Sequence, residues 1–283
     1  MTALRRRGPD WFLNGYAGLA LIYLLMPIAV IVVFSFNNPV GRFNFIWQEF
    51  SLDAWKHPFA VQGVQSALET SLEIAALSTL IATVLGTLTA LALVRYEFKG
   101  RAPINFFIFI PLATPEVVLG AALLSQFLNW GTPQLGFATI LIAHVMFNLS
   151  FVVITVRSRL IGFDRALEEA AQDLGATPWE TFRLVTLPLI MPGVVSAALL
   201  AFALSIDDFV ITNFNSGSTI TFPLFIWGAA RVAVPPQIYV IATMIFLFTV
   251  AMMILTVWQQ RRAQKMAAVR PDEPELALEP APA

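Results

Sequence analysis

The sequence has no cysteine, only two histidines and few charges, and each shortage removes a class of function. Without a thiol there is no disulfide, no thiolate metal site and no cysteine nucleophile. His57 and His144 are too few and too far apart to suggest a metal pair. No Gly-Lys pair occurs anywhere, so the phosphate-cradling pattern Gly-x-x-x-x-Gly-Lys-Ser/Thr is missing, as are Gly-x-Ser-x-Gly and His-Glu-x-x-His. The longest stretch between apolar runs is about thirty residues, too short for a nucleotide-binding domain. Neither catalysis nor ATP hydrolysis by this chain is expected. Charged residues make up 12% of the 283 and hydrophobic ones 58%, whereas a soluble domain carries roughly a quarter charged residues. An ordinary soluble fold is excluded.

What the chain does have is long apolar runs. A helix needs about 20 mostly apolar residues to cross the hydrocarbon, and six runs qualify: Tyr16 to Phe36, Glu69 to Val94, Pro103 to Leu128, Gln134 to Val156, Leu189 to Thr212 and Ile238 to Trp258. The first is too long for a signal-peptide core and has no small-residue cleavage site behind it, so it reads as a retained span. Backbone in lipid must bond to itself, and these runs far exceed barrel strands, so the predicted fold is all-α and polytopic, with six transmembrane helices.

The net charge of -1 hides a segregation of basic residues. With both termini on one side, that side collects fourteen of the seventeen Lys and Arg residues, leaving Arg42, Lys56 and Arg231 opposite. Basic connections stay inside, so both termini are expected in the cytoplasm. Trp47, Trp55, Trp130 and Trp227 then fall in or beside the outer loops, where aromatic belts form. The organisation predicted is a cytoplasmic segment at 1–15, a six-helix membrane domain at 16–262, and a disordered cytoplasmic tail at 263–283, rich in Ala, Pro and Glu.

One cytoplasmic loop, at about 157–188, is dense with helix signals. Leu167, Ala170, Ala171 and Leu174 repeat at helical spacing, and Gly175 stands where a C-terminal cap belongs. Thr177, Pro178, Trp179 and Glu180 spell a capping box with Pro at the first helical position. Pro188 marks the end of this second short helix or its junction with span five. The pattern is a helix, a glycine turn and a helix, suited either to lie on the membrane surface or to dock into a partner's groove.

Carboxylates within spans cost ~2.5 to 3.5 kcal/mol on insertion scales and call for explanation. Glu69, Glu73, Glu116, Asp207 and Asp208 fall in or at the edges of the runs, and no Lys or Arg lies inside one. The functional reading is an aqueous path in which Asp207, Asp208, Glu116 and Glu73 meet a cationic substrate. Each has a structural alternative. Ser66 and Glu69 form a capping-box pattern, which makes Glu69 a helix-start residue. Glu73 could serve only at the interface. Thr114, Pro115 and Glu116 read as a helix restarting after a break that Pro111 allows, with the carboxylate at the positive end of the dipole, although such breaks are also where transporters build sites. Asp207 or Asp208 could pair with Arg231 or His144. Trp227 and Tyr239 read as belt aromatics, with stacking on a cation as the alternative.

The stretch Glu169, Ala170, Ala171, then Gly175, then Val185, Thr186, Leu187, Pro188 resembles the EAA loop of binding-protein-dependent ABC importer permeases, with Val185 where isoleucine is more usual. The segments AHVMFNLSFVVITVRSRL, TPEVVLGAALL and SIDDFVITNFNSG resemble the second permease subunit of spermidine and putrescine importers. The likeness covers about Ala102 to Gly217. It implies the MetI-like permease fold in the inner membrane, and it makes Glu169, Ala170, Ala171, Gly175, Leu187 and Pro188 the coupling element that enters a cleft of the ATPase. It further implies a second permease subunit, two ATPase subunits that bind ATP and Mg, and an extracytoplasmic binding protein that delivers a polyamine. No nucleic-acid partner and no cofactor held by this chain are expected. The rival readings are the same machine with another cargo, such as ferric iron, an opine or a phosphonate, and an ion-coupled secondary carrier, which would leave the capped loop without a role.

Overall fold

The computed structural model describes residues 10–131, 134–162 and 164–268, and among these it is helical without a β-strand. The chain divides into two compact units, Met1–Val61 with Ala233–Ala283, and Gln62–Val232.

The first unit contains α1 (Asp10–Phe34), the single turn α2 (Asp53–Lys56) and α12 (Pro236–Ala268). No residue in the apolar window of α1 is fully buried against the protein, as suits a helix whose surroundings are lipid or another apolar partner. Beyond α1 the loop folds around Asn37, which is 2% exposed. Its amide donates to Asn44 Oδ1 at 2.6 Å and to the Ile46 carbonyl at 2.8 Å, and its Oδ1 accepts from the Gln48 N–H at 2.8 Å. Phe36 stacks on Trp55 and Phe50.

The second unit is built on α3 (Val64–Arg95), α6 (Phe137–Ile161) and α9 (Leu187–Ile206). Small residues recur on one face of α3, at Ala67, Ser71, Ala75, Ser78, Ala82, Gly86 and Ala90, and all are buried. Such a ridge lets backbones approach closely in a membrane, where apolarity alone drives no association. A Cβ placed on Gly86 would lie 2.6 Å from Val152 Cγ1 on α6. The core between the three helices is Ala82, Leu93, Val152, Val156, Leu160, Ile190 and Ala197 with their neighbours.

Among the described residues four helices are long and apolar enough to span: Phe12–Phe34, Val64–Arg95, Phe137–Ile161 and Pro178–Ile206. The third predicted run is not one straight crossing. It divides into α4 (Arg101–Ala113) and α5 (Glu116–Trp130), bent by 113°. Pro111 lies inside α4 and does not make the break. The break falls at Thr114 and Pro115 because the residue before a proline is driven to extended backbone, and Thr114 sits at φ -89°, ψ 131°. The sixth run lies on α12, of which Pro236–Ala251 is the apolar stretch. That helix continues to Ala268, into the predicted tail, whose remainder lies outside the described residues.

Two further expectations are corrected, and a third is decided between its alternatives. The Ser66–Glu69 capping box does not form: α3 starts at Val64 behind Gly63, which takes φ 85°, and the Ser66 hydroxyl donates to the Gly63 carbonyl while Glu69 accepts from Gln65. Of the two readings of Pro188 the junction one holds: the proline is the second residue of α9, where the short second helix passes into span five without a stop. A π turn over Phe182–Thr186 joins α8 (Pro178–Thr181) to α9, with the Leu187 N–H reaching back to the Phe182 carbonyl. Widening the turn by one residue accommodates a proline ring that would clash with an ordinary α-helical carbonyl. Span five, expected to reach Thr212, stops at Ile206 and resumes as α10 (Val210–Asn215). At that break the Asp208 carboxylate takes the N–H groups of Ile211 and Thr212, at 3.4 and 2.7 Å, which a helix start leaves without partners.

Candidate functional site

The predicted loop folds as its local signals require. The helix α7 (Ala166–Asp173) ends in a Schellman motif: Gly175 N–H bonds the Gln172 carbonyl at 2.9 Å and Ala176 N–H the Ala171 carbonyl at 3.0 Å. Gly175 takes φ 90°, the left-handed region that glycine enters freely. Thr177 then caps α8. Its hydroxyl accepts from the Glu180 N–H at 3.3 Å, and Glu180 Oε2 accepts from the Thr177 N–H at 2.8 Å.

This unit is fastened by groups whose partnership sequence inspection did not reveal. Arg95, in the last turn of α3, donates to Glu168 Oε1 at 2.6 Å, and Thr186 in the π turn donates to the same oxygen at 2.5 Å. The Arg95 and Glu168 side chains are only 12% and 14% exposed, so this is a partly buried pair that orients α7. Four of the six motif residues face outward. Glu169, Ala170, Gly175 and Pro188 are exposed, whereas Ala171 and Leu187 are half-buried. Leu174 is 91% exposed, and Leu167, Trp179 and Leu184 also stand open. An apolar cluster on a polar loop suits contact with the membrane surface or with a partner. A groove of about 450 Å³ separates the loop from the end of α3, lined by Leu88, Tyr96, Arg165 and Phe182 among others.

The loop and the acidic positions belong to one element. From Pro178 to Ile206 the chain is helical without interruption, and Asp207 and Asp208 follow at its far end. There the two aspartates part. Asp207 is exposed, whereas the Asp208 side chain is 6% exposed and faces His144, 3% exposed, across 3.2 Å. Thr212 gives Asp208 Oδ2 both its N–H, at 2.7 Å, and its hydroxyl, at 2.8 Å. His144 Nε2 also lies 2.9 Å from Thr212 Oγ1, and its Nδ1 lies 2.7 Å from Ser205 Oγ, which in turn meets Ser78 Oγ at 3.0 Å. With a neutral imidazole, Ser205 donates to Nδ1 and the Nε2–H points at Asp208 and Thr212. The network stitches α3, α6, α9 and α10 together. Of the two pairings considered for the aspartates, the His144 one forms, on Asp208.

Arg231 is engaged elsewhere, on α11 (Phe222–Val232). Its guanidinium lies 4.8 Å from the centroid of the Trp227 ring, so the cation over that indole is the protein's own, and Phe209 packs on Trp227 at 5.1 Å. Tyr239 packs at 6.3 Å from Phe34 within the first unit. Glu116 is exposed at the first position of α5, which packs along α10 around Gly120, Ile211 and Phe214. Glu73 is exposed on α3. Ser78, Ser205 and Thr212 went unread, and the available signal was that polar side chains deep in apolar runs are rarely idle.

A family described as "Binding-protein-dependent transport system inner membrane component" matches residues 82–265. The chain is 37% identical over 242 residues to the "Spermidine/putrescine transport system permease protein PotC" of Escherichia coli (strain K12), covering 85% of this chain and 90% of the relative. It is 38% identical over 235 residues to the "Putrescine transport system permease protein PotI" of the same organism, covering 80% and 83%. Among solved structures, a bacterial ABC transporter involved in the import of alginate superposes with a TM-score of 0.65 at 18% identity, over 90% of this chain and 96% of that one.

Proposed function

This chain belongs to the family of binding-protein-dependent transport system inner membrane components, and from that premise we propose that it is the permease subunit through which an ATP-driven importer moves spermidine or putrescine. It is a multi-pass inner-membrane protein, and both termini lie in the cytoplasm. A partner permease completes the pore, two ATPase subunits bind ATP and Mg below, and an extracytoplasmic binding protein delivers the polyamine. This chain hydrolyses nothing itself.

The observation that carries the reading is the unbroken helix from Pro178 to Ile206, which runs from the capped loop to the aspartates. At 1.5 Å per residue its 29 residues span about 43 Å. The exposed face around Glu169, Ala170, Ala171 and Leu174 seats in the ATPase, with Gly175 as the hinge and Leu187 and Pro188 at the root. When the ATPases close, the loop moves, and a helix of this length hands the displacement to the acid pair. Asp207, with Glu116 and Glu73, presents carboxylates to the ammonium groups of the substrate, and the absence of Lys and Arg from the predicted spans leaves that charge for the cargo to neutralise. An oxyanion would be repelled from such a path.

The test is complementation. Expressed with its partner subunits in a host lacking polyamine import, the chain restores uptake of labelled spermidine, and the Asp207→Asn variant does so poorly. Restored uptake that is indifferent to both Asp207→Asn and Glu116→Gln would count against the path assigned here.

A further inference from the structure

Asp207 and Asp208 are neighbours in sequence with opposite surroundings. Asp208 is buried and receives two donors from Thr212 and one from His144 on a single oxygen, with the Ile211 N–H on the other. A carboxylate so saturated is a poor ligand for a passing ammonium. To reach one it would give up bonds inside a low-dielectric bundle and strand its donors. Asp207 ends α9 in the open.

We propose that His144 is a positioning residue that commits Asp208 to the protein, so that Asp207 alone of the pair meets the cationic substrate. The inference rests on the reading of Asp207 as a path residue. The imidazole is placed for this task. Ser205 holds Nδ1 at 2.7 Å, and Ser78 holds Ser205 at 3.0 Å. A ring pinned from α3 and α9 cannot turn away from Asp208 without breaking that chain. The arrangement also explains how adjacent aspartates coexist: one charge is held by a buried donor set, so the other faces the path without a competing carboxylate beside it. Removing the imidazole leaves Asp208 short of a partner in a buried site, which favours its rotation outward, where it becomes a second carboxylate for the substrate.

The experiment compares KM and Vmax for labelled spermidine in proteoliposomes containing the whole transporter, for Asp207→Asn, Asp208→Asn, His144→Leu, His144→Gln, and Asp207→Asn combined with each His144 variant. With His144 in place, Asp207→Asn raises KM by about tenfold, the loss expected for one charged contact. Asp208→Asn lowers Vmax and moves KM by less than about twofold, because it makes no contact with the substrate. In the His144→Leu background the Asp207→Asn penalty shrinks to about threefold or less, since the released Asp208 substitutes, the non-additivity that marks coupled residues. His144→Gln, whose amide can still donate to Asp208, restores the full penalty. A merely structural histidine would not move this KM dependence. Equal rises in KM for the two aspartate variants, or an Asp207→Asn penalty identical in the His and Leu backgrounds, would overturn the division of labour while leaving the acidic path intact. KM unchanged in both aspartate variants would overturn the path reading and this inference with it. Should the His144→Leu transporter not assemble, Asp207→Asn and Asp208→Asn with His144 in place decide the division of labour: unequal KM supports the proposal and equal KM ends it.

Discussion

Gly175 offers a graded perturbation of the loop whose size follows from its backbone. The residue holds φ 90°, and a Cβ built there meets nothing within 4 Å, so substitution carries a conformational cost without a steric one. An L-residue forced into the left-handed region costs roughly 1–2 kcal/mol. Asparagine tolerates that region best after glycine, and a β-branched residue is the worst case. The helix α7 buries none of its own residues, so little else holds the turn beyond the Schellman bonds and the Arg95–Glu168–Thr186 cluster. A loss of that size lowers the ratio of formed to unformed turn by a factor of about 5–30. The expected order for ATPase co-purification and for spermidine uptake is therefore Gly175, then Gly175→Asn, then Gly175→Ala, with Gly175→Val the weakest. Membrane insertion, read by protease accessibility of the outer loops, stays constant along the series. Gly175→Val with normal ATPase attachment and normal uptake would refute the reasoning, because the turn would then not be what the motor grips.

Two other outcomes follow from local geometry. Thr177→Val removes the hydroxyl that accepts from Glu180 and weakens ATPase co-purification several-fold, whereas Thr177→Ser, which keeps the cap, leaves it near normal; the comparison is made on detergent-purified complexes. Gly86→Ala drives a methyl into Val152 and lowers the thermal stability of the purified subunit by about 1–3 kcal/mol, and adding Val152→Ala recovers most of that loss in the same melting assay.

Much of this architecture was legible from composition and local rules. The Gly175 stop and the Thr177–Glu180 cap are signals contained within a few residues, and both form as read. The apolar runs carry their own length requirement, and helices follow from it. The prolines show where local rules stop deciding. Pro111, Pro115 and Pro188 are alike on paper, yet the first sits inside α4, the second forces its predecessor into the extended backbone that turns α5 by 113°, and the third is absorbed by a π turn. Which of these happens depends on what packs around each proline. The Ser66–Glu69 pattern failed because Gly63 already opened the helix one turn earlier. The aspartates were visible as a pair of like charges, but their difference was not. It is created by His144, Ser205 and Ser78, which lie far from Asp208 or from one another along the chain and meet only when α3, α6 and α9 pack.

The central claim is that ATP turnover below the membrane drives a polyamine through this subunit. The most direct measurement is accumulation of labelled spermidine by proteoliposomes holding the whole transporter and its binding protein, with ATP confined to the cytoplasmic side or with a proton gradient and no ATP. Accumulation with ATP, and none with the gradient alone, is the predicted result; accumulation on the gradient alone would contradict the account.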